Sequence, residues 1–209
     1  MLPNKKFQLL LCMFFTVAIP AAGLAKPVHV GDSGLKNAVI LIIRHAEDPD
    51  SGSNLSPIGS AHARAYVNYL KTLTVNGRPF KLDYLFATKD STNSQRPRLT
   101  VEPIGRALGL PVDDRFKNKR FLDLVQEIQS LPEGQNILIC WHHGTIPNLL
   151  RALGADPMTV LPNGKWPNDV YDWLIELSYD ENGRLVQSRR ISENLSFDEW
   201  RRPNLASAW

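Results

Sequence analysis

The stretch AVILIIRHAE, Ala38–Glu47, sets how the rest of the chain folds. Its first six residues are apolar without interruption and rich in β-branched side chains. Such a run suits a strand buried on both faces, not one that alternates between core and water. The run stops at an arginine and a histidine. A strand of this kind belongs to a mostly parallel sheet covered by helices, where ligands sit outside the carboxyl ends of the strands. Arg44 and His45 stand at that place.

Outward from this strand, apolar runs and helical patterns alternate. The segment SPIGSAHARAYVNYLKTL opens with Ser56 as N-cap and Pro57 in the first turn; Ile58, Ala61, Ala65, Tyr69 and Leu73 follow helical spacing and predict its inward face. LDYLFAT, Leu82–Thr88, predicts a second strand, and the helix through RLTVEPIGRAL is closed by Gly109. A further helix runs from about Lys119 to Leu131, with Phe121, Val125 and Ile128 on one face. QNILIC is the third strand, followed by a helix with Ile146, Leu149, Leu150 and Leu153 inward. VYDWLIELSYDENGRLVQSRRI reads as two strands around a turn at Asp180–Gly183. The order predicts an α/β protein, a three-layer α/β/α sandwich around a mostly parallel central sheet.

Residues 1–25 carry Lys5 and Lys6, an apolar core from about Leu9 to Ile19, and the small-residue exit AAGLA. This is the pattern of a secretory signal peptide, with an uncleaved N-terminal anchor as the alternative; the core is shorter than the roughly 20 residues of a membrane span. The expected organisation is a signal peptide over 1–25 and a single domain over 26–209, periplasmic or secreted, with no stable membrane insertion after cleavage. Removing two lysines from 24 Lys+Arg leaves 22 against 21 Asp+Glu, so no basic surface for nucleic acid is indicated. Cys140 is then the only cysteine and cannot form an internal disulfide.

The three strand ends offer Arg44 and His45, then Arg96 and Arg98, then His142 and His143. A phosphoryl group in transfer spreads negative charge over its oxygens, and guanidinium groups at fixed positions stabilise that charge with bidentate geometry. A neutral imidazole can attack phosphorus, and neighbouring cations hold its pKa down.

With these motifs the chain resembles the histidine phosphatase superfamily, of phosphoglycerate mutase-like fold, and within it a small exported bacterial-type member. LIIRHAE looks like its RHG/RHA signature, and LSPIGSAHA like its helix opening. SQRPRLTVEPIGRALGLPV resembles its arginine motif, and ILICWHHGTIPNLL its strand-plus-histidine motif. The resemblance implies His45 as the nucleophile that becomes phosphohistidine, with Arg44, Arg96 and His142 binding the phosphoryl group. Arg96 is the match because it lies four residues before Thr100; His142 is the match by the register of Thr145-Ile146-Pro147. His143 stands where one branch of the family has an acidic proton donor; it either donates the proton or only hydrogen-bonds a neighbouring loop. Glu47, Asp113 and Asp114 are the other candidate acids, and DDRFKNKRF does not match the family's glutamate segment.

The expected function is an exported phosphomonoester hydrolase, acting on a small-molecule phosphomonoester or a phosphorylated envelope component without metal or organic cofactor. A non-catalytic phospholigand-binding or envelope-associated protein is the alternative, although a binder has no need of a nucleophile. A metal site of His45, Glu47, His142 and His143 is disfavoured, because arginines at the same strand ends repel a cation. The remaining polar residues have plainer readings. His29 is expected to be inert, His62 a packing or surface residue, and Cys140 a small buried hydrophobe. Leu161–Trp173 is either a pocket wall presenting Trp166 and Asp169 or a hydrophobic loop, and Arg189-Arg190 and Arg201-Arg202 read as solvated charge.

Overall fold

The AVILII run forms the middle of a six-stranded sheet, with Ile40, Leu41, Ile42 and Ile43 fully buried. The computed structural model describes residues 34–195; residues 1–25, read above as a signal peptide, His29 and Arg201-Arg202 lie outside them. In chain order the elements are β1 (Val39–Arg44), α1 (Pro57–Thr72), β2 (Thr74–Val75), β3 (Arg78–Pro79), β4 (Tyr84–Ala87), α2 (Arg96–Leu108), β5 (Val112–Asp113), α3 (Phe121–Ser130), β6 (Asn136–Trp141), α4 (Ile146–Ala152), α5 (Pro157–Val160), β7 (Trp173–Tyr179) and β8 (Leu185–Ser192). The sheet order is β5-β4-β6-β1-β7-β8. The first four strands are parallel, and the β7–β8 hairpin adds antiparallel to β1. β2 and β3 form a separate small hairpin. Among the described residues no helix is long and apolar enough to cross a membrane.

Alternate residues of the central strands serve two cores, which makes the three layers. Ile40 and Ile42 pack with Ile137, Ile139 and the α3–α4 residues Leu124, Ile128, Leu149 and Leu150. Leu41 and Ile43 pack with Leu138, Cys140 and the α1–α2 residues Tyr66, Leu70, Val101 and Ile104. Burial drives the Cys140 thiol pKa far upward, so it behaves as an apolar group.

Two local expectations are corrected. Helix α1 starts at its predicted cap, with the Ser56 hydroxyl accepting from the Gly59 amide at 2.9 Å. Ala61 is buried as expected, but the face is rotated, so that Gly59, His62, Ala63, Tyr66 and Leu70 also turn inward while Ile58 is exposed. The cause is polar: His62 points into the protein because two carboxylates await it there, and Gly59 lets the helix approach the backbone of Glu47. Nor are Arg189 and Arg190 merely solvated. Arg189 pairs with the buried Glu176 at 2.7 Å, and Arg190 lies 4.1 Å over the Trp173 ring.

A β-carbon on Gly59 would sit 2.6 Å from the Glu47 carbonyl oxygen and 2.9 Å from its nitrogen, both backbone atoms that cannot swing aside. Alanine gains up to about 1 kcal/mol over glycine in a helix interior, but overpacking of this kind costs about 1–3 kcal/mol. Gly59→Ala is therefore expected to lower the urea midpoint. A raised midpoint would mean that the loop after β1 retreats freely.

Candidate active site

Parallel pairing of β1 with β6 sets Arg44 beside Trp141, so the next residues after both strands, His45 and His142, leave the sheet together. The His45 amide donates to the Trp141 carbonyl at 3.3 Å, which extends the ladder one step past the strand. The two rings meet edge to face with centroids 5.3 Å apart. β4, on the other side of β6, delivers the third loop and then α2, which begins at Arg96.

His45 is held by its own neighbour. Its Nδ1 lies 2.8 Å from the Ala46 carbonyl oxygen, an acceptor, so Nδ1 carries the proton and Nε2 keeps the lone pair. Ala46 is fixed in turn: its amide donates to the Thr100 hydroxyl at 2.9 Å, and that hydroxyl donates to the Arg96 carbonyl at 2.8 Å. Burial lowers the His45 pKa to about 4 against the opposing Ala46 and Asp48 contacts, with Arg44 and His142 adding to the fall. His142 is also pushed down to about 4, by burial first and then by Arg96 and His143. Both imidazoles are neutral at neutral pH.

The cations around them are anchored from behind. Arg44 is buried and gives Nη1 to the carbonyls of Asn168 at 2.8 Å and Val170 at 3.0 Å, with Pro167 at 3.3 Å, while its guanidinium carbon lies 3.8 Å over the Tyr171 ring. Its buried Nε has no partner among the described residues. Arg96 donates to the Gly52 carbonyl at 3.1 Å and the Asn93 carbonyl at 3.4 Å. Arg98 is turned away to Asp90 and Glu102.

Asp48 joins the two arginines, and the sequence did not single it out. One carboxylate oxygen lies 2.6 Å from Arg96 Nε; the other lies 3.7 Å from Arg44 Nη2 and accepts from the Tyr171 hydroxyl at 2.8 Å. Partial burial would raise the Asp48 pKa, but the Tyr171 hydroxyl, His45 and both arginines outweigh it and hold it below its usual value. Tyr171 was missed as well, and no spacing pointed to it. The loop before β7 does form a wall of the site, but through Asn168 and Tyr171. Trp166 is buried beneath, donating its indole N–H to the Val170 carbonyl at 2.8 Å.

The other candidate acids lie elsewhere or are occupied. His143 makes its hydrogen bond through Nε2 to Asn168 Oδ1 at 3.0 Å. Asp113 is bound by Arg115 at 2.7 Å, and Asp114 lies 3.9 Å from Arg98. Glu47 points away from Asp48, into the α1 layer, with its oxygens 3.1 and 3.2 Å from His62 Nδ1. The other His62 nitrogen meets the buried Glu193 at 3.3 Å, and Glu193 also accepts from the Tyr66 hydroxyl at 2.7 Å. Among the described residues no three His, Cys, Asp or Glu side chains are gathered as a metal site.

No protein-family model matches the chain, and no curated protein matches it. Solved structures do resemble it. Phosphoglycerate mutase from Plasmodium falciparum superposes with a TM-score of 0.51 at 18% identity, over 76% of this chain and 92% of that one. The protein histidine phosphatase SixA complexed with tungstate gives a TM-score of 0.48 at 19% identity, over 74% of this chain and 97% of the other. The fold is thus phosphoglycerate mutase-like, as the sequence motifs implied. One fold hosts many activities, so the chemistry lies with these residues and not with the fold.

The His62 network gives stability a pH dependence. Burial alone would lower the His62 pKa, but Glu193 and Glu47 raise it to about 9, so His62 holds the proton between two carboxylates. A folded-state pKa above the unfolded value near 6.5 contributes stability that is full below about pH 6.5 and lost as pH rises through about 9. The loss is on the order of 2–4 kcal/mol. Chemical unfolding at pH 6, 7.5 and 9 is expected to show it. His62→Gln should unfold more easily at pH 6, by about 3–5 kcal/mol as for a broken buried pair, with the slope above pH 6.5 largely gone. An unchanged slope in that variant would clear His62 of the effect.

Proposed function

We propose that the protein is a phosphomonoester hydrolase that works through a phosphohistidine on His45. The observation that carries this reading is the commitment of His45 Nδ1 to the Ala46 carbonyl, which leaves a neutral Nε2 in a site flanked by Arg44, Arg96 and His142. A phosphomonoester lodged against the two guanidinium groups is attacked in line by Nε2. Arg44, Arg96 and His142 stabilise the charge on the transferring oxygens, and Arg44 does so from a guanidinium already oriented by three carbonyls. Water then releases phosphate from His45. The cationic charge comes from the arginines, with no metal or organic cofactor. Neutral His142 can give its ring N–H to a phosphate oxygen, and the bound anion offsets part of the burial that lowered its pKa.

The substrate class is a small phosphomonoester or a phosphorylated envelope component, and the protein acts in the periplasm or outside the cell; these proposals rest on the signal-like segment at residues 1–25.

Purified protein is expected to hydrolyse an aryl phosphate in the presence of EDTA, and His45→Ala to lose this by several orders of magnitude. Arg96→Ala should cost about 100- to 1,000-fold in kcat, as for removal of one donor to a developing oxyanion. Rapid quenching should trap acid-labile, base-stable phosphate on the unsubstituted protein but not on His45→Ala. Binding without turnover across several substrates would sink the enzyme reading in favour of a phospholigand-binding protein. The pH profile is a separate check. With His45 neutral above about pH 4 and protonated below, kcat/KM corrected for substrate ionisation should fall in acid near pH 4, not near 6.5.

A further inference from the structure

Resting on the phosphohistidine reading, we infer that Asp48 is the group that protonates the leaving oxygen and later deprotonates the attacking water. The alternatives fail on geometry. Glu47 and Asp48 are consecutive in the loop after β1, and their side chains go to opposite sides: Glu47 enters the α1 layer to meet His62, and Asp48 enters the site. Asp113 is held by Arg115. His143, with its pKa lowered by burial and Arg44, is neutral, and its single N–H is given to Asn168 Oδ1, so Nδ1 can only accept. Asp48 alone among these carboxylates touches both phosphate-facing arginines, and at 39% side-chain exposure it also reaches the open side where a leaving group must depart.

The arginines explain how a carboxylate with a depressed pKa becomes an acid. In the free protein they hold Asp48 as the anion. A phosphomonoester competes for the same guanidinium donors, and Asp48 then faces an anion in place of two cations, which favours its protonated form. The proton comes with the substrate, since a phosphomonoester has a second pKa of about 6 and carries a proton below it. It passes from a phosphate oxygen to Asp48, with the Tyr171 hydroxyl holding the carboxyl at 2.8 Å.

The His45 Nε2 lone pair then forms the N–P bond as the P–O bond to the leaving group breaks, and Asp48 gives its proton to that oxygen, releasing the alcohol. In the second half, water forms the new P–O bond and passes one proton to the Asp48 carboxylate. The N–P electrons return to Nε2, and inorganic phosphate departs. Atoms and protons balance with water as the only co-reactant.

The test varies the leaving group. Dinitrophenyl phosphate expels a stable phenolate and needs no acid, whereas glycerol phosphate expels an alkoxide and does. The comparison is made on kcat/KM, which reports steps up to the first irreversible one. Asp48→Asn is expected to slow glycerol phosphate by about 100-fold or more and dinitrophenyl phosphate by less than about fivefold, within the range for general acid catalysis. The ratio of the two substrates is internal to each variant, so partial misfolding cancels, and Asp48→Ala should repeat it. An equal fall on both substrates, or a gain on both with an unchanged ratio, would make Asp48 a mere counter-ion and overturn the inference. Failure of the unsubstituted protein to hydrolyse dinitrophenyl phosphate would overturn the phosphatase reading and this inference with it; a flat ratio in an active enzyme overturns only the role of Asp48.

Discussion

The hydrogen bond from the His45 amide to the Trp141 carbonyl, at the last rung of the β1–β6 ladder, fixes where two imidazoles leave the sheet. Neither loop positions its histidine alone. The parallel register does so, and that register is enforced by apolar side chains on both faces, since a shift of one residue would exchange the two cores. Six paired rungs from Val39–Asn136 to Arg44–Trp141 place both histidines at the end of rigid backbone. The β4–β6 pairing then fixes the start of α2, so Arg96 reaches the same space from a third strand end.

Around this frame the charges are arranged in two groups on opposite sides of one loop. The site has two arginines, Asp48 and Tyr171; beneath it lie His62, Glu47 and Glu193. Consecutive residues 47 and 48 tie them together, so the loop that carries His45 is clamped from below by one ion pair and from above by another. A buried charge cluster is weak support for net stability, because desolvation offsets much of its attraction. Its value here lies in fixing the backbone at Ala46, whose carbonyl sets the His45 tautomer.

Much of this was legible in the sequence. The short, β-branched apolar runs marked β1, β4 and β6, while the two-residue parallel strand β5 and the β2–β3 hairpin were too short to leave such a mark. Arg44, His45, Arg96 and His142 stood out because each directly follows such a run or opens the helix after one. What escaped notice depends on contacts remote in sequence. The inward face of α1 is set by carboxylates 15 and 131 residues from His62, so an apolar count on the helix alone picked a stripe that is partly exposed. Tyr171 and the carbonyls that hold Arg44 lie in a loop of mixed composition whose path is fixed by the burial of Trp166. Asp48 looked like one more acid in a polar loop. Only the convergence of Arg44, Arg96 and Tyr171 gives it a place in the site.

Glu193, just past the end of β8, completes the cluster under the loop that carries His45. β1 likewise gains its two neighbours only from β6 and β7, late in the chain. On the ribosome, a nascent chain that has exposed the RHAE loop has neither the strands that flank it nor the carboxylate that closes the cluster around its His62 anchor. The arrangement is therefore assembled late relative to the loop itself: the side chains of that loop emerge first, and the contacts that fix them arrive only with β6, β7 and Glu193.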